Sequence, residues 1–210
     1  WLLKSDLTSE RVRGHRLKTG LMVLYNDLQQ DDRTQPGLER FNADGSTQQG
    51  LNVNQFRNFN PEAALYVQDK WEYEGMVVNA GIRFEYFSTG NNTEILINNA
   101  EVDPDVQKHK FNWSPRLGFA FPITDRDKFF FHYGRFTQWP SREYLFSTQD
   151  AIGTFGTLGN PNLGEELTVS YQAGISHQFT ESVAGNFVVF SKDIYGLISS
   201  TRVTDDSTNI

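Results

Sequence analysis

The sequence predicts an all-β chain, a run of about eight antiparallel strands that cross a membrane as part of a β-barrel. Three observations carry that expectation. Successive segments alternate apolar and polar residues with period two, over the roughly 9–11 residues that a tilted membrane strand needs. The connections between them are alternately short and long, which puts every long loop at one end of the sheet. Finally, no stretch approaches the roughly 20 apolar residues of a membrane helix, yet 17 Phe, 8 Tyr and 4 Trp make 14% of the chain aromatic. A mean hydropathy of -0.52 suits strands that show lipid only at every second residue.

Taken in order, residues 1–9 read as a first, incomplete strand. The segment 16–26 sets Leu17, Thr19, Leu21, Val23 and Tyr25 against Arg16, Lys18, Gly20, Met22 and Asn26, with Leu24 the exception. A strand through Trp71 and Tyr73 leads into a short turn at Glu74-Gly75. In 76–87 one face carries Val78, Ala80, Ile82, Phe84 and Tyr86, and the other Val77, Asn79, Gly81, Arg83 and Glu85. In 111–121 the apolar face is Phe111, Trp113, Pro115, Leu117, Phe119 and Phe121, opposite Asn112, Ser114, Arg116, Gly118 and Ala120. Residues 128–137 contain three successive phenylalanines; Phe129, Phe131 and Tyr133 are expected outward, and Phe130, His132 and Gly134 inward. The segment 166–179 alternates from Leu167 to Phe179, whereas Phe187 to Phe190 leave the facing of 184–199 open.

Short turns are expected near Glu74-Gly75, Thr124–Asp127 and Thr180–Ser182, and long loops over 28–61, 88–108 and 139–164. Trp71 and Tyr73 beside a short turn, with Tyr86, Phe87 and Trp139 near long loops, fit aromatic girdles at two membrane interfaces. Inward Gly81, Gly118, Gly134 and Gly174 relieve crowding, and Pro115, which lacks an N–H, predicts a bulge or weakened pairing. A soluble β-sandwich or propeller also alternates. The long apolar faces, the one-sided long loops and the lack of an internal repeat favour the barrel.

With 0 Cys there is no thiol chemistry, disulfide framework or cysteine zinc site. A net charge of -7 opposes a nucleic-acid partner. His15, His109, His132 and His177 lie on separate strands without ligand spacing, so no catalytic residue, metal or cofactor is expected. Glu101, Asp103 and Asp105 miss the EF-hand pattern and read as a solvated loop. The sequon Asn91-Asn92-Thr93 carries little weight. Lumen-lining candidates are Asn79, Arg83, Glu85, Asn112, Arg116 and His132, either along a substrate path or as a wet charge ladder supporting a plug. Trp139, Tyr144 and Phe146 are candidate apolar contacts in the last long loop.

Six phrases in order resemble the barrel of TonB-dependent outer-membrane receptors, in particular the Oar-like branch with a carboxypeptidase-regulatory-like N-terminal domain. They are Ala64-Leu65-Tyr66-Val67-Gln68-Asp69-Lys70-Trp71, Asn79-Ala80-Gly81-Ile82-Arg83-Phe84-Glu85-Tyr86-Phe87, Ser114-Pro115-Arg116-Leu117-Gly118-Phe119-Ala120, His132-Tyr133-Gly134-Arg135-Phe136, Gly159-Asn160-Pro161-Asn162-Leu163-Gly164-Glu165-Glu166 and Lys192-Asp193-Ile194-Tyr195-Gly196-Leu197-Ile198. The resemblance spans most of 1–199. It implies a large plugged barrel of the 22-stranded class, of which 1–210 is a partial wall lacking the plug and the C-terminal strand. No secretory signal opens the chain, which fits a truncated N-terminus. Implied partners are outer-membrane lipid, a small substrate and, through the missing N-terminal part, the TonB complex. The function implied is energy-coupled uptake of a siderophore, oligosaccharide or peptide across the bacterial outer membrane. The alternatives are a surface protein for secretion, adhesion or envelope organisation, and a soluble β-rich binding module.

Overall fold

The computed structural model describes residues 1–29, 57–90, 107–146 and 159–199 in full, and within 30–56 only the strand paths 30–34, 39–41, 47–49 and 52–56. The sequon at 91–93 and the acidic residues Glu101, Asp103 and Asp105 lie outside the described residues. Ten strands form: β1 (Leu2–Ser9), β2 (His15–Thr34), β3 (Glu39–Phe41), β4 (Thr47–Gln49), β5 (Asn52–Tyr73), β6 (Met76–Ser88), β7 (His109–Pro122), β8 (Asp127–Gln138), β9 (Glu166–Gln178) and β10 (Ala184–Tyr195). A one-turn helix, α1 (Arg142–Phe146), lies between β8 and β9. Eight strands make one antiparallel sheet in the order β1-β2-β5-β6-β7-β8-β9-β10, and β3 and β4 pair as a separate ribbon. The main sheet is an open meander whose edge strands are β1 and β10.

Short connections close one end. The Glu74-Gly75 turn has φ of 47° and 82° at its two central residues, the positive-φ pair that lets a two-residue hairpin follow the sheet's twist. Thr124 Oγ1 accepts the N–H groups of Arg126 and Asp127 at 3.2 and 3.0 Å, and Thr180 N–H bonds Val183 O at 3.1 Å. The expected loop over 28–61 is corrected. β2 and β5 stay paired out to Thr34↔Asn52, so a long hairpin projects from the loop end of the sheet. The sequence of this stretch is polar and without clean period-two alternation, which is why it reads as loop.

The register sorts the faces. Leu21↔Leu65↔Phe84↔Trp113 is one outward row, and Phe119↔Phe131↔Ala173↔Val189 another. Phe129, Phe131 and Tyr133 face outward and Phe130, His132 and Gly134 inward, as expected. β10 is now resolved too. Phe187 and Val189 pair with Ile175 and Ala173 on the outward face, whereas Val188 and Phe190 face inward with Gly174 and Gln172. Outward rings form two belts: His15, Trp71 and Tyr73 stack at the short-turn end, and Tyr25 with Phe59 and Tyr86 with Phe111 pack at the other. From Trp71 to Phe59 β5 runs about 40 Å, or about 30 Å along the normal at a tilt near 40°. That matches a bilayer core.

Phe87 and Trp139 do not join the outer belt. Phe87 faces inward and its ring stacks on Trp139 at 5.1 Å. The ladder between β7 and β8 runs from Pro122↔Lys128 to Arg116↔Gly134 and goes no further, while β6 stays paired with β7 through Ile82↔Pro115 to Ser88↔His109. The break falls at Pro115, which has no N–H to donate. Above it side chains bridge the gap: Ser114 Oγ lies 3.0 Å from Thr137 Oγ1, and the Arg135 guanidinium sits 5.3 Å from the Trp113 ring.

Candidate functional site: the polar inner wall and its outer rim

The polar face curves into a trough of about 680 Å³. Every second residue of β2 and β5–β9 turns into it: Lys18, then Tyr66 and Gln68, then Asn79 and Arg83, then Ser114 and Arg116, then His132, and last Ser170 and Gln172. All six predicted lumen residues make a described polar or ring contact. Asn79 Oδ1 accepts a 2.7 Å bond from Gln68, and Arg83 Nε donates to Glu85 Oε1 at 2.7 Å. The guanidinium of Arg116 lies 4.8 Å above the Phe136 ring, and His132 stands 5.8 Å from Phe130. Asn112, on β7 with Arg116, is buried higher up and donates to Glu165 Oε1 at 2.9 Å. Glu85 belongs with Arg83, two residues back on the same face of β6.

The outer rim is a second, tighter cluster. Phe87, Leu145 and Phe146 are 1%, 0% and 4% exposed and pack with Leu28, Trp139 and Leu163. This is the small core by which the segment after β8 folds onto the inner wall. Polar contacts tie it down. Lys110 Nζ donates to the carbonyls of Pro161 and Leu163 at 2.9 and 2.5 Å, and Arg142 pairs with Glu62. Asn160 O accepts from Leu163 N at 3.2 Å, and Asn160 Oδ1 from Asn162 N at 2.9 Å, closing the expected turn before β9. Of the three loop aromatics, Trp139 and Phe146 are therefore spent on packing, and only Tyr144 presents an exposed ring.

Lys110, Glu62 and Arg142 were not singled out in the sequence. Lys110 continues the inward parity of 111–121 one step beyond its first apolar residue, and that was its only signal. The histidines take local partners: His15 with Asp69 at 2.7 Å, His109 with Tyr86 at 2.8 Å and His177 with Asp127 at 2.6 Å. Among the described residues no three His, Cys, Asp or Glu side chains converge as a metal site, and no helix is long and apolar enough to cross a membrane. Beyond the outer belt, Arg57 donates to both carboxylate oxygens of Asp27 at 2.9 and 2.7 Å. These bonds hold the Asp27 carboxyl below its usual range.

The family profile described as TonB dependent receptor-like, beta-barrel matches residues 2–210. No curated protein matches the chain in sequence. Among solved structures, a mutant ferric enterobactin receptor of Pseudomonas aeruginosa in complex with enterobactin is similar at 18% identity and a TM-score of 0.56, over 91% of this chain and 26% of that one. The copper transporter OprC is similar at 13% identity and a TM-score of 0.57, over 92% and 30%. A double mutant of the Serratia marcescens hemophore receptor HasR, in complex with its hemophore HasA and heme, is similar at 12% identity and 0.56, over 91% and 32%. The chain thus spans about a quarter to a third of the length of these structures.

Proposed function

This chain belongs to the TonB-dependent receptor-like β-barrel family, and on that premise we propose that it is wall and outer rim of a receptor for energy-coupled uptake of a scarce nutrient. Its place is the bacterial outer membrane, with the apolar face on lipid and the polar face on the lumen. The observation that carries the reading is the match over 2–210. Support comes from the polar trough along the lumen and from the rim that the post-β8 segment builds at the outer end. By their names the similar structures are a ferric enterobactin receptor, a copper transporter and a hemophore receptor, which supports nutrient uptake; for this chain the proposed substrate is of the siderophore, oligosaccharide or peptide class. Transport, not catalysis, is the activity.

The finer assignment is to the Oar-like branch, on the six phrases quoted above. In that reading further strands join the free edges of β1 and β10, and a plug fills the lumen and meets the TonB complex. Asn79, Arg83, Glu85, Asn112, Arg116 and His132 line the path or support the plug, and Tyr144 meets substrate first.

Growth of a deletion strain on limiting iron chelates, oligosaccharides and peptides tests uptake. A deficit restored by the full gene supports the proposal. Unchanged uptake of every substrate, together with altered secretion, adhesion or envelope integrity, assigns the chain to a surface role instead.

A further inference from the structure

The chain is acidic overall, with a net charge of -7, yet among the described residues no Asp or Glu lines the trough, whereas Lys18, Arg83 and Arg116 do. Of these, Arg83 is neutralised by Glu85 at 2.7 Å. Asp6, which faces the same wall, takes a 2.7 Å bond from the Tyr66 hydroxyl and pairs with Lys4 at 3.4 Å. Lys18 and Arg116 fall on one hydrogen-bonded row across the sheet, and Lys192 ends it: Lys18↔Gln68↔Gly81↔Arg116, then Arg116↔Gly134↔Ser170↔Lys192. No carboxylate stands anywhere in that row.

Arg116 is the centre of this belt, and its surroundings are arranged for a ligand. Glycine is its cross-strand neighbour on both sides, Gly81 on β6 and Gly134 on β8. The Phe136 ring lies across Gly134, 2.6 Å from where a Cβ would stand, and on the other side the row offers only Gly81. The Phe136 ring under the guanidinium at 4.8 Å holds its plane without using its N–H donors. A planar fork of donors, backed by the Phe136 ring on the Gly134 side and facing a glycine on the other, is suited to a bidentate oxyanion. Ser170 and Gln172 on β9 and His132 on β8 add polar groups around the same space.

We propose that Arg116, between Gly81 and Gly134 and flanked along its row by Lys18 and Lys192, is an oxyanion-binding site on the lumenal wall for a carboxylate or phosphate group. The group comes either from an anionic solute crossing the lumen or from an acidic side chain of a protein segment seated there. The assignment rests on the polar face being the lumenal wall. It does not depend on uptake of any particular nutrient.

These 210 residues contain no cysteine; Ser170→Cys in the full-length protein, in outer-membrane vesicles, puts a reporter in the same row, two strands from Arg116 and directly opposite Lys192. Its modification rate is measured with two methanethiosulfonates of similar size, one bearing a sulfonate and one a trimethylammonium, against the parent without the new thiol. The sulfonate reagent is expected to react roughly 3- to 10-fold faster, to be slowed by inorganic phosphate, and to lose that preference on Arg116→Gln. Slow reaction with both reagents, accelerated for both by Arg116→Gln, identifies a protein carboxylate as the occupant and also supports the site. Equal rates, a preference for the cation, or rates that Arg116→Gln leaves unchanged overturn it. Growth on the limiting nutrient, scored on the same strains, separates this outcome from that of the uptake assay.

Discussion

Lys110 shows how one side chain sets the shape of the rim. Only 5% exposed, it carries its charge out of water, and two carbonyls of the segment before β9 offset the loss. Replacing it by Met keeps the stem and leaves both carbonyls unpaired, at a cost of about 2–4 kcal/mol to local stability. Amide exchange of residues 159–165 should then quicken by roughly 30-fold or more, while β6 is unaffected. Asp27 offers a gentler case. Because Arg57 lowers its folded pKa, the pair's contribution is complete above the ordinary carboxylate value and is lost as pH falls through the depressed one. Amides of 57–60 should keep constant protection from neutral pH to about pH 4, weaken modestly below it, and lose that acid limb in Arg57→Gln. Glycines separate in the same way. A Cβ on Gly174 would stand 2.6 Å from the backbone oxygen of Phe187, whereas one on Gly164 meets nothing within 4 Å. Gly174→Ala should lower the unfolding midpoint by an amount worth about 1–3 kcal/mol, and Gly164→Ala should leave it unchanged.

At the scale of the strand, the two faces live in different solvents. Val67 and Ile82 are directly opposite each other on the lipid face, well between the two ring belts. An Arg at either position should cost about 2–4 kcal/mol, read from the heat at which the folded band shifts on a gel, whereas Gln172→Arg on the lumenal face should be tolerated. Alternation made this division legible from residues alone in β2, β6, β7 and β9. It failed in β10, where Phe187, Val188, Val189 and Phe190 are all apolar and only the pairing with β9 says which two meet lipid. It failed also in the projecting half of β2 and β5, where the sequence is polar and pairing shows only in the register. Pro115 was readable, because a missing N–H has one local consequence, and the ladder stops there.

For the whole molecule, connection length decides sidedness. The turns at 74–75 and 123–126 share one end with the inner ring belt, and α1 lies with the rim at the other. In intact cells a membrane-impermeant thiol reagent should label Tyr144→Cys and not Asp125→Cys, and permeabilising the outer membrane should expose the second. Labelling of Asp125→Cys from outside, with Tyr144→Cys protected, would invert the orientation.

The all-β class, the lipid and lumen faces of most strands and the inward placement of Arg116 and His132 were set by the sequence itself. Period-two alternation and loop length are local properties that each segment carries alone. Only the tertiary structure decided that Trp139 and Phe146 are packed rather than presented. The same holds for Lys110 and Arg142 pinning the rim, and for Lys18, Arg116 and Lys192 sharing one row. Those relations join residues 51 to 80 positions apart or separate strands of the sheet. They follow from register and from how one loop folds back on the wall, which no single segment's pattern encodes.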